Sequence, residues 1–282
     1  MQRTLKNKLE IKGVGLHSGC DSTIIIEPAP VNTGIVFQRN DVRNAKPIRA
    51  LYSNVVDTRN CTCLGDENKN LVSTIEHLMA SLYIMGIDNA FIKVNNPEIP
   101  ILDGSSKEFL TALQKVELIS QNASRKYLKV KKEVYFEDGK GGSVKILPND
   151  KLHISFDIEF PSKVVGHQHF DSDITLDVFS SSIAQCRTFC EKYQVDYLKS
   201  IGLIKGGSLD NAIVLDGDTL LNPDGFRTEN ECVKHKVIDT IGDLYTSGYF
   251  IWGHVVANKS GHYHNNEILK ALFSSQDNYE LL

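Results

Sequence analysis

The 282-residue sequence contains no apolar run long enough to cross a bilayer. Its most apolar stretch, Leu78 to Gly86, falls far short of the roughly 20 residues that a spanning helix needs, which excludes stable membrane insertion through a helix. An excess of positive charge is also missing: 31 Lys and Arg against 35 Asp and Glu leave a formal net charge of -4. Phosphate backbones are held by concentrated positive fields, so no nucleic-acid partner is expected. The opening residues have no apolar core of the length that a secretory signal requires and read as strand and turn, which gives the expectation of a cytoplasmic protein. Six cysteines are present, but no CxxC or CxC pair elsewhere complements Cys61-x-Cys63 to build a four-thiolate metal site, and reduced thiols are expected. Low-complexity tracts are missing, and Gly206-Gly207 lacks the Lys-Ser/Thr of a phosphate-cradling loop.

What is present is a core-forming composition, 41% hydrophobic, at a length where one domain often becomes two. Runs at Thr23–Glu27 and Gly34–Gln38 read as strands. A helical pattern follows over Ser73–Met85, with Ser73 as N-cap and Gly86 as stop. Next come an alternating strand at Ala90–Val94, a Pro-rich turn ending in Asp103-Gly104, and a helix over Ser106–Val116. The second half repeats the order: strands at Tyr127–Phe136 and His153–Phe160, a long helix over Glu229–Thr246, a strand at Tyr249–Ala257 and a helix over Asn265–Phe273. The expectation is an α+β fold of two related units, 1–122 and 123–282, separated near the polar run at 120–126. An extra segment around 189–207, helical over Lys192–Ile201, inserts into the second.

The chemistry concentrates on the two long helices. Glu76 and His77 are adjacent, so their side chains leave the helix axis about 100° apart and border one cavity. His235, Asp239 and Asp243 recur every four residues and stack on one helix face, flanked by Val233, Val237, Ile238, Ile241 and Leu244, as a partly buried site would be. Burying carboxylates without a partner or a metal is costly. His77, His235 and Asp239 make the three-protein-ligand pattern of catalytic zinc, with the fourth position left for water. Glu76 suits the base, and His262, in what reads as a loop before the last helix, suits the acid held cationic by Asp243. A structural zinc would ask for four ligands and favour Cys, and a zinc protease of the H-E-x-x-H type is not encoded. Among the other histidines, His167-x-His169 and His262-x-His264 read as surface pairs in polar loops. His153 and His254 read as structural strand residues, and His17, in the 13–19 turn, is a candidate for lining a substrate cleft.

Taken together, GVGLHSG (13–19), CTCLG (61–65), STIEHLMASLYIMGIDN (73–89), PEIPILDGSS (97–106), RTF (187–189), GGSLDNAIVLD (206–216), HKVIDTIGDL (235–244) and SGH (260–262) resemble the UDP-3-O-acyl-N-acetylglucosamine deacetylases, zinc enzymes of bacterial lipid A synthesis. The resemblance covers nearly the whole chain. It implies a monomer built of two sandwiches, each a sheet packed on two helices, with the helical layers meeting around Zn2+, and a small-molecule substrate, an acylated UDP-amino sugar. Carried onto this chain, it implies zinc on His77, His235 and Asp239, Glu76 as base, and His262 with Asp243 as acid. Thr188 would be an oxyanion donor and Lys236 a substrate contact. Phe189, Leu198, Gly207 and His17 would line the substrate, the segment after Phe189 forming an apolar passage for the 3-O-acyl chain. Glu191 and Lys192 depart from the apolar residues common there. Val195 and Leu198, one turn apart, remain to line the passage, with the charged heads turned to water.

Overall fold

The structure, a computed structural model, describes residues 1–67 and 70–282. Among them are six α-helices: α1 (Glu76–Met85), α2 (Lys107–Gln114), α3 (Leu176–Val178), α4 (Lys192–Ser200), α5 (Glu231–Leu244) and α6 (His262–Phe273). The α+β expectation holds, and the two halves share one strand order. In the first, Leu9–Val14 pairs antiparallel with Asp21–Pro28, which pairs antiparallel with Ala90–Val94; that strand runs parallel to Ile35–Arg39, which ends on Ile48–Arg49. In the second, Val134–Glu137, Ser143–Pro148, Phe250–Asn258, Leu152–Glu159 and His167–Asp173 follow one another with the same sequence of antiparallel, antiparallel, parallel and antiparallel pairings. In each half the central strand lies between two helices in sequence, α1 and α2 around Ala90–Val94, α5 and α6 around Phe250–Asn258.

The alternation of side chains explains why each sheet takes a helical layer on one face. Leu152, Ile154, Phe156 and Ile158 point inward and are buried in one core cluster with Val237 and Ile241 of α5 and Ile268 and Leu272 of α6. Ile24, Ile26, Ile92 and Val94 do the same with Leu78, Met79 and Leu82 of α1 and Phe109 of α2. Each such side chain is worth about 1.5–3 kcal/mol on burial, which outweighs helix propensity as the reason these short helices persist.

Several expectations are corrected. The strand read over Tyr127–Phe136 is two, Tyr127–Val130 and Val134–Glu137, broken at Lys131-Lys132-Glu133 where the Lys131 amide turns away to the Asn278 carbonyl at 2.8 Å. Ser73 does not cap α1; it bridges to Glu98, and Ile75 takes the N-cap position without a side-chain hydrogen bond. Gly86 does stop α1, in the left-handed conformation. His167 and His169 stand in a strand and not a loop, and α6 begins at His262, so both His262 and His264 belong to its first turn. No helix among the described residues is long and apolar enough to cross a membrane.

The helical layers of the two halves meet where α1 crosses α5. Their backbones come so close that a Cβ on Gly242 would sit 2.0 Å from the Glu76 carbonyl oxygen. No rotamer change relieves a clash with backbone. Gly242→Ala is therefore expected to force the helices apart at a cost of about 1–3 kcal/mol, the range of core overpacking, read as a lower denaturant midpoint. An unchanged midpoint would show that the crossing has slack.

Candidate metal centre and active site

The α1–α5 crossing brings His77 of one helix onto His235 and Asp239 of the other. The His77 and His235 rings meet edge to face with centroids 5.0 Å apart. The Asp239 Oδ1 atom lies 3.6 Å from His77 Nε2 and 3.4 Å from His235 Nε2. All three residues are buried, and one donor atom from each lies within 4.8 Å of the others. The His77 backbone is fixed as well, since its carbonyl accepts from Ser106 Oγ at 2.9 Å and Ser81 Oγ at 3.1 Å.

The electrostatics prepare these groups as ligands. The Cys186 carbonyl lies 3.0 Å from His235 Nδ1, which fixes that nitrogen as the N–H and leaves the Nε2 lone pair facing Asp239. Burial lowers the His235 pKa to about 4, so the ring is neutral at physiological pH. Burial alone would push the Asp239 carboxyl up, but the neighbouring His235, Lys236 and His77 outweigh it and hold the group well below the usual carboxylate range. Asp239 Oδ1 nevertheless has no hydrogen-bond partner. A buried, ionised and unpartnered carboxylate oxygen facing two imidazole nitrogens is a donor set that suits a borderline divalent cation such as zinc.

Around this cluster stand the remaining polar groups. Glu76 Oε2 accepts from the Thr62 amide at 3.0 Å, and burial raises the carboxyl pKa against the pull of His262 and His77. Asp243 is the hub of a second network. Its Oδ1 accepts from Thr62 Oγ1 at 2.6 Å, and its Oδ2 from Asn265 Nδ2 at 2.9 Å and His262 Nδ1 at 2.8 Å. Burial opposes the charge on His262, but Asp243 dominates and, with Asp239 and Glu76, lifts the imidazole to about 9. Lys236 places its ammonium 3.3 Å from Asp239 Oδ2 and 5.7 Å above the Phe189 ring, which itself stands edge-on to His235.

Thr188 sits between the Cys186 carbonyl and Phe189, its amide donating to the Gly104 carbonyl at 2.9 Å. Beyond it the insertion forms a strand at Phe189–Glu191, then α4, then Ile213–Asp216 running parallel to the first strand. Leu198 and Val195 are half-buried on α4 while Tyr193 and Tyr197 face solvent, and Lys192 turns outward to Asp216 at 2.6 Å. The Gly206 amide donates to the Leu16 carbonyl, and Gly207 lies against the Leu16 side chain, so the end of the insertion docks on the 13–19 turn that carries His17. Both His17 ring nitrogens are buried without partners, and burial lowers its pKa.

Sequence reasoning missed the supporting groups. The Glu98 carboxylate shapes the 13–19 turn by accepting the His17 and Ser18 amides, both at 2.8 Å. Arg187 and Glu231, buried and paired at 3.0 Å, tie the 186–189 segment to the start of α5 and so aim the Cys186 carbonyl. Thr62 and Asn265 fix Asp243. Glu98, Thr62 and Arg187 all fall inside the quoted motifs, but nothing in their spacing indicates their partners.

A family model described as UDP-3-O-acyl N-acetylglycosamine deacetylase matches residues 2–274. Among curated proteins, the UDP-3-O-acyl-N-acetylglucosamine deacetylase of Shewanella pealeana is 43% identical over 282 residues, covering all of this chain and 92% of the relative. That of Shewanella oneidensis is 44% identical over the same span, with the same coverage. With a match across nearly its entire length and the motifs in order, the chain belongs to the UDP-3-O-acyl N-acetylglycosamine deacetylase family.

Proposed function

We propose that this protein is a zinc-dependent deacetylase that hydrolyses the N-acetyl group of UDP-3-O-acyl-N-acetylglucosamine, releasing acetate and the free amine in the committed step of lipid A synthesis. The observation that carries the reading is the convergence of His77, His235 and Asp239 at the helix crossing, with an ionised, unpartnered carboxylate oxygen between two imidazoles. These three residues would hold the zinc. When bound, the ion supplies Lewis-acid chemistry, acidifying water and polarising the amide carbonyl.

The chain's own groups do the rest. Glu76, adjacent to a ligand, takes the proton from the attacking water. The Thr188 hydroxyl donates to the oxygen on which negative charge develops. His262, kept protonated by Asp243, gives a proton to the departing nitrogen. Lys236 binds substrate beside Phe189. Phe189 and Leu198, with Val195, flank the acyl chain, and His17 with Gly207 lines the nucleotide side. We read the active protein as a cytoplasmic monomer with its site at the seam of units 1–122 and 123–282.

Three outcomes test the reading. His77→Ala should lose zinc and activity together, whereas Glu76→Ala should retain zinc and lose about 10²–10⁴-fold in kcat, the span of general base catalysis; full activity in Glu76→Ala overturns the mechanism. His262 acts as the acid only while protonated, so activity should be complete below its pKa and fall as pH rises through about 9. In His262→Gln that basic limb should disappear from the pH profile, and its persistence would move the acid elsewhere. Leu198→Ala should slow turnover of long-chain substrates more than of acyl-truncated ones; indifference to chain length would remove α4 from the passage.

A further inference from the structure

Four of the nine histidines, His153, His167, His169 and His254, lie on the outward face of the second sheet. Because Leu152, Ile154, Phe156 and Ile158 face the helices, the odd-numbered residues of that strand face out. Cross-strand pairing then sets His153 opposite His254 on one side and Asp173 on the other, with Ser155 opposite Asp171. The His153 and His254 rings meet edge to face, centroids 4.6 Å apart.

We propose that His153, His254 and Asp171 form a second site for a borderline divalent cation of the zinc class, on the side of the sheet away from the helices. One donor atom from each of the three lies within 4.8 Å of the others. The surroundings have the form of a ligand sphere. His153 Nδ1 stands 2.8 Å from Asp173 Oδ1, the carboxylate contact that orients metal-ligating imidazoles by fixing the N–H on one nitrogen and baring the other. The bared Nε2 points at Asp171 Oδ1, 3.1 Å away. A lone pair facing a carboxylate oxygen requires a cation between them, a proton or a metal. Ser155 Oγ joins the same group, donating to Asp171 and standing 2.7 Å from His254 Nε2.

Two imidazoles and a carboxylate select a transition ion over calcium or magnesium, which prefer all-oxygen shells. Entry of the ion releases to solvent the proton shared by His153 and Asp171, while the neutral His254 ring moves its own proton to Nδ1 and offers Nε2 to the ion. Lys151, 3.3 Å from Asp173, and the nearby Lys145 balance the carboxylates without entering the ligand set.

The test is metal analysis of the purified, zinc-loaded protein after equilibrium dialysis against buffered free Zn2+ at neutral pH. Wild type should hold about one zinc more than His254→Ala, His153→Ala or Asp171→Asn, the stoichiometry of a single added site. Asp171→Asn changes one partly exposed oxygen and guards against loss of fold in the histidine variants. Activity should be unchanged in all three. His77→Ala should keep this zinc, which separates the sheet site from the proposed catalytic one. Equal zinc in wild type and the three sheet variants overturns the proposal, as does loss of the additional zinc in His262→Gln instead.

Discussion

The approach of α1 to α5 is the constraint on which everything else rests. A helix pair separated by ordinary side chains leaves 8–10 Å between axes. Gly242 removes one of those side chains at the crossing and lets the Glu76 backbone lie against α5. That contact joins the two halves' helical layers and sets His77 opposite His235 and Asp239. It also carries Glu76 toward the network of Thr62, Asp243 and His262. His77 on the one hand and His235 and Asp239 on the other come from two helices far apart in sequence, so the cluster exists only while the crossing holds.

The charge arrangement follows from that burial. Desolvation is the first influence on His235, Asp239 and His262, and each escapes it differently. His235 gives up its charge, Asp239 keeps its charge beside the Lys236 ammonium, and His262 keeps its proton because Asp243 faces it. One buried cluster therefore holds a neutral imidazole, a carboxylate and a protonated imidazole side by side. Such separation of pKa values is how a single environment supports both base and acid chemistry.

The main elements were legible in the sequence because their periodicities are strong and their stops clear: α1 with Gly86, the strand at Ala90–Val94, and the repeated order of strands and helices. The stripe of His235, Asp239 and Asp243 on α5 was legible too, since i and i+4 spacing is a property of the helix itself. What could not be read depends on pairing between distant segments. The break at Lys131–Glu133 exists because one piece of strand joins Phe250 and Tyr279 while the next begins the meander. His153, Asp171 and His254 meet through register across three strands, which no spacing within one strand encodes. His262 read as loop because Gly261 precedes it, although that glycine is the N-cap of α6.

The docking of the insertion on the first half has its own consequence. At its start the Thr188 amide donates to the Gly104 carbonyl at 2.9 Å; at its close the Gly206 amide donates to Leu16 of the 13–19 turn. The segment is clasped at both ends to a unit it does not belong to in sequence. Holding both ends removes part of the segment's conformational freedom when the chain folds, so that part of the ordering cost is not left for an incoming molecule. The entropic opposition to association should be correspondingly smaller than for a segment left free at either end.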